Sequence, residues 1–319
     1  MVTAPVVIVG NGLIGAACAA TLRGSGHPVI TVARRGEPGP GHLSCDLTDA
    51  GGRAALARLL RDRRPARVVL THGPSDVTWI NAHEREAADT HAGVADLVAG
   101  SGVPAVLIST DNVFAGDRGH HRPDDPIAPA NAYGRIKARA ERAVVEAGGT
   151  ALRVSLVYGW AGPAYRETYA GRCLLAAAAG RPTDAPVDQE FTPVHIDDVR
   201  TVVAAHCAAA TVPGGVAHLA GPEQLSRFAF ARLAYRLAGA DEDLVRPCSR
   251  AGTEWATRPR FSSLTCDRFD DLPGLAGWSP IPAEQGLARM VAEMPAPTGL
   301  AAAFPAARAA GLAAGGGTR

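Results

Sequence analysis

Two short segments of the chain carry side chains that could perform acid-base chemistry together. Ser109-Thr110-Asp111 supplies hydroxyls and a carboxylate, and Tyr133-Gly134-Arg135-Ile136-Lys137 supplies a phenol and an ammonium group. Positions i and i+4 share a helix face, so Tyr133 and Lys137 are expected to point the same way. A phenol has an ordinary pKa of about 10 and needs a nearby cation to act as an acid or base near neutral pH. The spacing therefore favours an oxidoreductase site in which Lys137 is that cation.

A glycine-rich turn near the N-terminus could bind a dinucleotide. It follows the apolar run Val6–Val9 and opens a helical pattern over 13–22, which places a GxGxxG motif between a strand and a helix. Its glycines permit a tight turn and close approach of the backbone to a pyrophosphate, and the helix N-terminus favours negative charge. In this context the motif favours dinucleotide binding over a merely structural turn. The predicted cofactor residues here are Gly10, Asn11, Gly12, Leu13, Ile14 and Gly15.

The end of the second predicted strand bears on which dinucleotide binds. Where an acidic residue would hold the ribose hydroxyls of NAD, the chain has Arg34 and Arg35. Guanidinium groups suit bidentate contact with the extra phosphate of NADP, so NADP(H) is favoured over NAD(H). The alternative is that both arginines are solvated turn residues. Asp46 either reaches the adenine or caps the helix that follows it. Three further cofactor contacts are predicted after the next strand, at Thr71, His72 and Gly73.

Apolar runs recur along the chain and alternate with helical patterns. The runs lie at 6–9, 29–32, 68–70, 105–108 and 152–157, and the helical patterns between them lie at 53–61, 84–99 and 132–147. Because these strands are continuously apolar, helices must cover both faces of the sheet. The sequence therefore predicts an α/β fold with a doubly wound parallel sheet, the Rossmann architecture. Ligands of such folds lie beyond the carboxyl ends of the strands.

The alternation weakens after Gly159, which indicates a division into two parts. Residues 1–159, completed by parts of 191–220, are predicted to form an NADP-binding Rossmann domain, and 160–295 mainly a smaller C-terminal substrate lobe. Helices of the later part are predicted over 172–179, 197–209 and 226–237. From residue 296 the sequence is rich in Ala and Gly and loses its apolar period, so 296–319 is predicted to be a disordered tail.

Composition and charge argue against several classes of partner. In 319 residues, 32 Lys and Arg nearly balance 31 Asp and Glu, so no overall field favours nucleic acid or a membrane surface, and a small-molecule substrate is expected. The N-terminus lacks the basic region of a signal peptide, and no stretch reaches membrane-spanning length. The six cysteines include no Cys-x-x-Cys pair, which argues against a disulfide scaffold and a zinc knuckle. We predict a cytoplasmic protein without a metal site.

Several motifs in one order resemble those of the extended short-chain dehydrogenase/reductase superfamily, and within it the dTDP-4-dehydrorhamnose reductase group. The resemblance rests on STDNVF at 109–114, PANAYGRIKARAE at 129–141, LRVSLVYG at 152–159 and DQEFTPVHIDDV at 188–199. It spans most of residues 5–210.

The resemblance implies a catalytic set of Thr110, Tyr133 and Lys137. Tyr133 would protonate the oxygen of a substrate carbonyl as NADPH delivers hydride to the carbon, and Thr110 would hydrogen-bond the same oxygen. Lys137 would hold the nicotinamide ribose hydroxyls and depress the pKa of Tyr133. The implied substrate is a nucleotide-linked 4-keto-6-deoxysugar or a related sugar, and a homodimer is a further expectation because dimers are common among relatives.

The chain departs from the group's pattern at several places. Its glycine turn is one residue shorter than the usual GxxGxxG, and 71–73 reads Thr-His-Gly where the group usually has Asn-Ala-Ala. Asn112 stands where tyrosine is common, and Leu156 where tryptophan is common. With Asp111, these residues are predicted to line the sugar pocket, which would lose two aromatic surfaces. We therefore expect the substrate to be a modified sugar nucleotide from natural-product or cell-surface sugar biosynthesis.

Two other functions are compatible with the same motifs. Sugar-nucleotide epimerases and dehydratases share Tyr-x-x-x-Lys but retain tightly bound NAD, and the Arg34-Arg35 pair speaks against them. A catalytically silent NADP-binding regulatory subunit, resembling the regulatory partner of methionine adenosyltransferase, is a third alternative. The intact set of Thr110, Tyr133 and Lys137 speaks against that one.

Overall fold

A computed structural model gives the structure of residues 4–36, 39–160, 167–211 and 213–294. The tail predicted at 296–319 lies outside these described residues. The strands are β1 (Val6–Val9), β2 (Val29–Ala33), β3 (His42–Ser44), β4 (Arg67–Leu70), β5 (Ala105–Thr110), β6 (Thr150–Val154), β7 (Val157–Tyr158), β8 (Thr183–Pro186), β9 (Glu190–Phe191), β10 (Val194–His195), β11 (Gly215–Leu219), β12 (Leu225–Ser226) and β13 (Val245–Cys248). The α-helices are α1 (Leu13–Gly24), α2 (Ala50–Arg63), α3 (Val77–Ala82), α4 (Glu84–Gly100), α5 (Ala132–Glu146), α6 (Tyr169–Ala178), α7 (Ile196–Ala208), α8 (Arg227–Leu237) and α9 (Ala283–Ala292).

Seven strands form one parallel sheet in the order β3-β2-β1-β4-β5-β6-β11. Its central strands are buried on both faces, as their continuous apolar runs require. On one face, β1 and β6 pack with apolar residues of α1 and α7. On the other face, the strands pack with α2, α4 and α5. The predicted doubly wound α/β fold is confirmed.

Side-chain caps set where the main site-bearing helices begin. Asn131 accepts a hydrogen bond from the Gly134 amide at 2.8 Å and starts α5 one residue before Tyr133. Asp49 caps α2 in the same way, at 2.6 Å from the Gly52 amide. The observed helix bounds therefore differ from the predicted ones by one to three residues. The reason is that a capping side chain determines where the first turn begins, whereas the apolar period does not mark that residue.

Several elements differ from the sequence-based prediction. The strand predicted over 152–157 is divided into β6, in the central sheet, and β7, which pairs with β10 outside it. β11, the edge strand beside β6, was not predicted because Gly215 and Ala217 interrupt its apolar character. The short elements β3 and α3 were also missed.

A second hydrophobic cluster lies in the C-terminal part of the chain. It joins α6, α8 and α9 with aromatic residues such as Tyr158, Tyr169 and Phe230. Tyr158 and Tyr169 both stand close to the Phe230 ring, with centroids 5.3 and 6.1 Å from it. This aromatic packing supports α6 and the start of α8, which contribute to the site described below.

A buried ion pair connects α5 to β6 behind the carboxyl edge of the sheet. Arg153 Nη2 donates to Glu141 Oε2 at 2.9 Å, and the side chains are 4% and 5% exposed. Ser109 Oγ donates to Glu141 Oε1 at 2.5 Å, and the Arg153 guanidinium lies 5.2 Å from the centre of the Phe114 ring. The pair therefore joins α5 to both β5 and β6.

We expect Arg153→Met to lower the free energy of unfolding by about 3–5 kcal/mol, because it leaves the Glu141 carboxylate buried without its partner. The measurement is urea unfolding followed by circular dichroism. Arg139→Met is the matched control, since Arg139 pairs with Asp96 on the surface with side chains 62% and 44% exposed, and it should cost less than about 1 kcal/mol. Equal costs for the two substitutions would contradict the role given to the buried pair.

Candidate active site

The carboxyl edge of the central sheet gathers the predicted site segments. The glycine turn follows β1, Thr71 follows β4, Thr110 ends β5 and Leu156 follows β6. They line two adjoining clefts that share Gly12 and the segment Thr71-His72-Gly73-Pro74. We call them the cofactor cleft, of about 460 Å³, and the catalytic cleft, of about 450 Å³.

The three glycines of the turn have different roles. Gly10 has φ +104° and a Cβ there would lie 2.7 Å from the His72 backbone nitrogen, while a Cβ at Gly15 would lie 2.0 Å from the Gly10 carbonyl oxygen. Gly12 instead faces open space. It precedes α1, and no side chain caps that helix N-terminus. An open backbone surface at an uncapped helix start fits a pyrophosphate.

The cofactor cleft contains one of the two arginines predicted to favour NADP. Arg34 lines it, with its guanidinium 3.9 Å from the Asp46 carboxylate and its side chain 75% exposed. Arg35 is exposed and is not among the residues that line the cleft. Asp46 also lines the cleft and accepts hydrogen bonds from the amide and hydroxyl of Thr48. The alternative that it caps α2 is wrong, because Asp49 is that cap.

The catalytic cleft brings Thr110, Tyr133, Lys137 and Leu156 together. Asp111 and Asn112, predicted to line the sugar pocket, are not among the residues lining this cleft. Their side chains are turned toward one another and toward Thr110. Asn112 Nδ2 donates to Asp111 Oδ1 at 2.9 Å and to Thr110 Oγ1 at 3.1 Å. Thr110 Oγ1 in turn donates to Asp111 Oδ1 at 3.1 Å, so both side chains hold the Thr110 hydroxyl.

Burial sets the charge states of the two proton-carrying groups. It raises the pKa of Tyr133 to about 12, with the Asp111 charge adding to the rise and the Thr110 hydrogen bond opposing it. It lowers the pKa of Lys137 to about 8, with Glu141 opposing. The lowered phenol pKa that was expected beside Lys137 is not seen in this structure, where burial is the largest cause and raises that pKa. At neutral pH the phenol is protonated and the ammonium, which donates to the Ile108 carbonyl at 2.6 Å, is charged.

The catalytic cleft also contains a buried arginine that the sequence did not predict. Arg227, at the start of α8, is 3% exposed and lies 4.6, 5.1 and 5.3 Å from the ring centres of Tyr169, Trp255 and Phe191. Its Nε donates to Gln189 Oε1 at 2.5 Å. Burial lowers its pKa to about 10, so it remains charged at neutral pH.

Two more arginines, Arg172 and Arg258, line the same cleft. We call Arg172, Arg227 and Arg258 the arginine wall. The sequence signal for Arg227 is its place on an apolar helix face, three residues before Phe230 and four residues before Ala231.

Two histidines also line the catalytic cleft. His72 was predicted, whereas His91 was missed although it lies on the buried face of α4 between Ala87 and Val94. Within the four described ranges, no group of three or more His, Cys, Asp or Glu could hold a metal ion. No helix among those residues is both long and apolar enough for a membrane span.

Comparisons with known proteins agree with this geometry. The family model of the RmlD substrate binding domain matches residues 5–295. A dTDP-4-dehydrorhamnose reductase from Streptomyces griseus is 34% identical over 252 residues, which are 72% of this chain and 77% of that protein. A dTDP-4-keto-6-deoxy-D-glucose reductase from Streptomyces niveus is 28% identical over 289 residues, covering 85% of this chain and 90% of the relative.

A solved structure shares the fold. The dTDP-4-dehydrorhamnose reductase from Bacillus anthracis, in complex with NADP, matches with a TM-score of 0.76 at 22% identity and covers 92% of this chain and all of its own. The family model spans most of the chain and the S. griseus relative exceeds 30% identity. The chain therefore belongs to the RmlD family, the dTDP-4-dehydrorhamnose reductase group of the extended short-chain dehydrogenases/reductases, and is an NAD(P)-dependent oxidoreductase.

Proposed function

We propose that this protein is an NADPH-dependent ketoreductase that acts on a nucleotide-linked 4-keto-6-deoxysugar or a related sugar, in natural-product or cell-surface sugar biosynthesis. The observation that carries the proposal is the presence of Thr110, Tyr133 and Lys137 in one cleft that adjoins the glycine turn. The names of the relatives from S. griseus and S. niveus support the substrate class.

The protonation states of the cleft suit reduction. A bound nicotinamide cofactor would supply the hydride. The Tyr133 phenol keeps its proton at neutral pH and can give it to the carbonyl oxygen, while the Thr110 hydroxyl hydrogen-bonds that oxygen. The Lys137 ammonium would hold the ribose hydroxyls and stabilise the phenolate left after proton transfer. In the structure the Thr110 hydroxyl donates to Asp111 Oδ1 at 3.1 Å and accepts from Asn112 Nδ2 at 3.1 Å, so its hydrogen turns from Asp111 to the carbonyl oxygen when the substrate binds.

The arginine wall supports a substrate that carries phosphate groups. In the part of the chain that the structure describes, no ion pair joins Arg227 to a carboxylate; its guanidinium lies against aromatic rings and donates to the Gln189 amide oxygen. A buried cation without an anionic partner is costly, and a guanidinium binds phosphate well. A nucleotide diphosphate entering the cleft would compensate this charge.

The name of one further relative matches the regulatory alternative. Methionine adenosyltransferase 2 subunit beta from Pongo abelii is 26% identical over 216 residues, covering 66% of this chain and 62% of that protein. The substitution Tyr133→Phe separates the alternatives, because a reductase loses turnover while a binding subunit keeps its effect on a partner.

We expect Tyr133→Phe to lower kcat by about 10²- to 10⁴-fold, since the proton donor is lost. The affinity of this variant for NADPH should change less than about threefold, because the substitution removes only one hydroxyl group from an extended binding site. Turnover is measured as NADPH oxidation with a panel of dTDP- and UDP-linked keto-sugars, and affinity by calorimetry. A wild-type protein that oxidises NADPH with none of these sugars would refute the proposal, as would copurification with tightly bound NAD.

The pKa of Lys137 predicts the alkaline limb of the pH profile. The group is cationic below about 8 and neutral above it, so kcat/KM for the sugar should fall as pH rises through about 8. Lys137 is the only lysine in the sequence, which makes the assignment direct. In Lys137→Arg, whose guanidinium stays charged, the residual activity should show no such fall. A wild-type profile that stays flat through this pH would contradict the role given to the ammonium.

The preference for NADPH is assigned to Arg34. Arg34→Ala should lower kcat/KM for NADPH roughly tenfold and leave that for NADH nearly unchanged, because a charge-assisted hydrogen bond to the extra phosphate is lost. Arg35→Ala is the matched control, since Arg35 does not line the cofactor cleft, and should change either value less than about twofold. The assignment fails if both substitutions affect NADPH equally.

A further inference from the structure

Lys137 and Glu141 lie one helical turn apart on the buried face of α5. Both side chains reach the end of β5. Lys137 Nζ donates to the Ile108 carbonyl oxygen at 2.6 Å, and Ser109 Oγ donates to Glu141 Oε1 at 2.5 Å. An ammonium and a carboxylate from one helix face therefore attach to consecutive residues of the strand that ends at Thr110.

The Glu141 carboxylate is fixed from two further directions. Arg153, on β6, donates from Nε to Oε1 at 3.0 Å and from Nη2 to Oε2 at 2.9 Å. With the Ser109 hydroxyl these bonds hold both oxygens in place. The ammonium of Lys137 is directed at a backbone carbonyl, so it interacts with the carboxylate through space. Such an interaction is strong here because buried charges are poorly screened.

The charges around the ammonium single out Glu141. Burial lowers the pKa of Lys137 to about 8, and the Glu141 charge raises that pKa against the effect of burial. Arg153 is a further charge nearby and is paired with Glu141. Asp111, in the turn after β5, is buried, which raises its pKa, and its charge acts on the Tyr133 phenol.

The remaining titratable groups that face the ammonium are neutral at neutral pH. They are the Tyr133 phenol on α5, His72 after β4 and His91 on α4. Burial raises the pKa of the phenol to about 12, lowers that of His72 to about 4 and lowers that of His91 well below its ordinary value. None of these three groups can therefore replace the negative charge of Glu141 beside Lys137.

We propose that Glu141 is a positioning residue for Lys137, whose fixed carboxylate keeps the neighbouring ammonium charged and held on the Ile108 carbonyl in the catalytic cleft. The buried pair of Glu141 and Arg153 then does more than join α5 to the sheet. The charge of Lys137 is a property of the free protein, whereas its consequence for turnover rests on the proposed function.

The test follows the charge of Lys137 directly. Because it is the only lysine in the sequence, isotope-labelled lysine gives a single side-chain resonance, which is titrated by NMR on the full chain without cofactor or sugar. The wild-type protein should titrate with a pKa of about 8. Glu141→Gln/Arg153→Met should titrate roughly one to two pH units lower, the effect of one charge about a helical turn away. The double substitution leaves neither charge buried alone, and glutamine keeps an acceptor for Ser109.

Two controls separate the charge of Glu141 from its contacts. Arg153→Met breaks the same ion pair but keeps the carboxylate, so Lys137 should titrate no lower than in the wild-type protein. Ser109→Ala removes a hydrogen bond to Glu141 and keeps both charges, so the titration should move by less than about 0.3 of a pH unit. Circular dichroism checks that each variant is folded, and Ser109→Ala serves as the control if Arg153→Met does not fold.

The pH profile of turnover gives a second readout. At about pH 7.5 the double variant should have a kcat/KM for the sugar about 3- to 25-fold lower than that of the wild-type protein, because less of Lys137 is charged. The difference should shrink at about pH 5.5, where the amine is protonated again. Structural damage alone would lower activity at both pH values alike.

The outcomes are distinguishable. A lysine resonance that titrates alike in the double variant and the wild-type protein would overturn the inference, as would an equal fall in Arg153→Met. A loss of turnover that does not recover at low pH would likewise show that Glu141 acts only on the fold. A wild-type protein that reduces no keto-sugar would refute the proposed function, and the NMR titration would still decide the inference.

Discussion

The close approach of α5 to the loop after β5 is the constraint on which the catalytic cleft depends. Gly134 permits it, because a Cβ at that position would lie 2.1 Å from the Asn112 carbonyl oxygen. Asn131, the cap of α5, donates from Nδ2 to Asn112 Oδ1 at 3.0 Å, so the helix begins against the same loop. A helix held further out would leave its phenol and ammonium too far from Thr110 to line one cleft with it.

Burial around this contact then determines how charge is distributed. The phenol of Tyr133 and the ammonium of Lys137 both keep their protons at neutral pH, although burial moves their pKa values in opposite directions. The neighbouring imidazoles are neutral for the same reason. Positive charge beside the reacting group therefore comes from the ammonium, and that toward the C-terminal part comes from the arginine wall. Such a division suits the proposed substrate, a neutral carbonyl next to an anionic nucleotide.

Local patterns in the sequence were sufficient for much of the fold and for part of the site. Continuous apolar runs predicted the central strands, because burial on both faces leaves no room for polar alternation. The spacing of Tyr133 and Lys137 predicted a shared cleft. β11 was missed, since an edge strand with Gly and Ala carries a weak signal. Arg227 and His91 were missed because each is a polar residue within an apolar helical pattern, and only the packing of distant segments shows that it borders a cleft.

The sequence by itself determined the groups proposed to carry the chemistry: a glycine turn after a strand, a hydroxyl at a strand end, and a phenol and ammonium one helical turn apart. These depend on neighbours within about a turn or a strand, so local spacing encodes them. The tertiary structure alone decided which residues face a ligand. Asp111 and Asn112 turn inward to hold Thr110, while Arg227 and His91 reach the cleft from helices far away in the chain. Orientation and charge state depend on burial among segments distant in sequence, which no local pattern specifies.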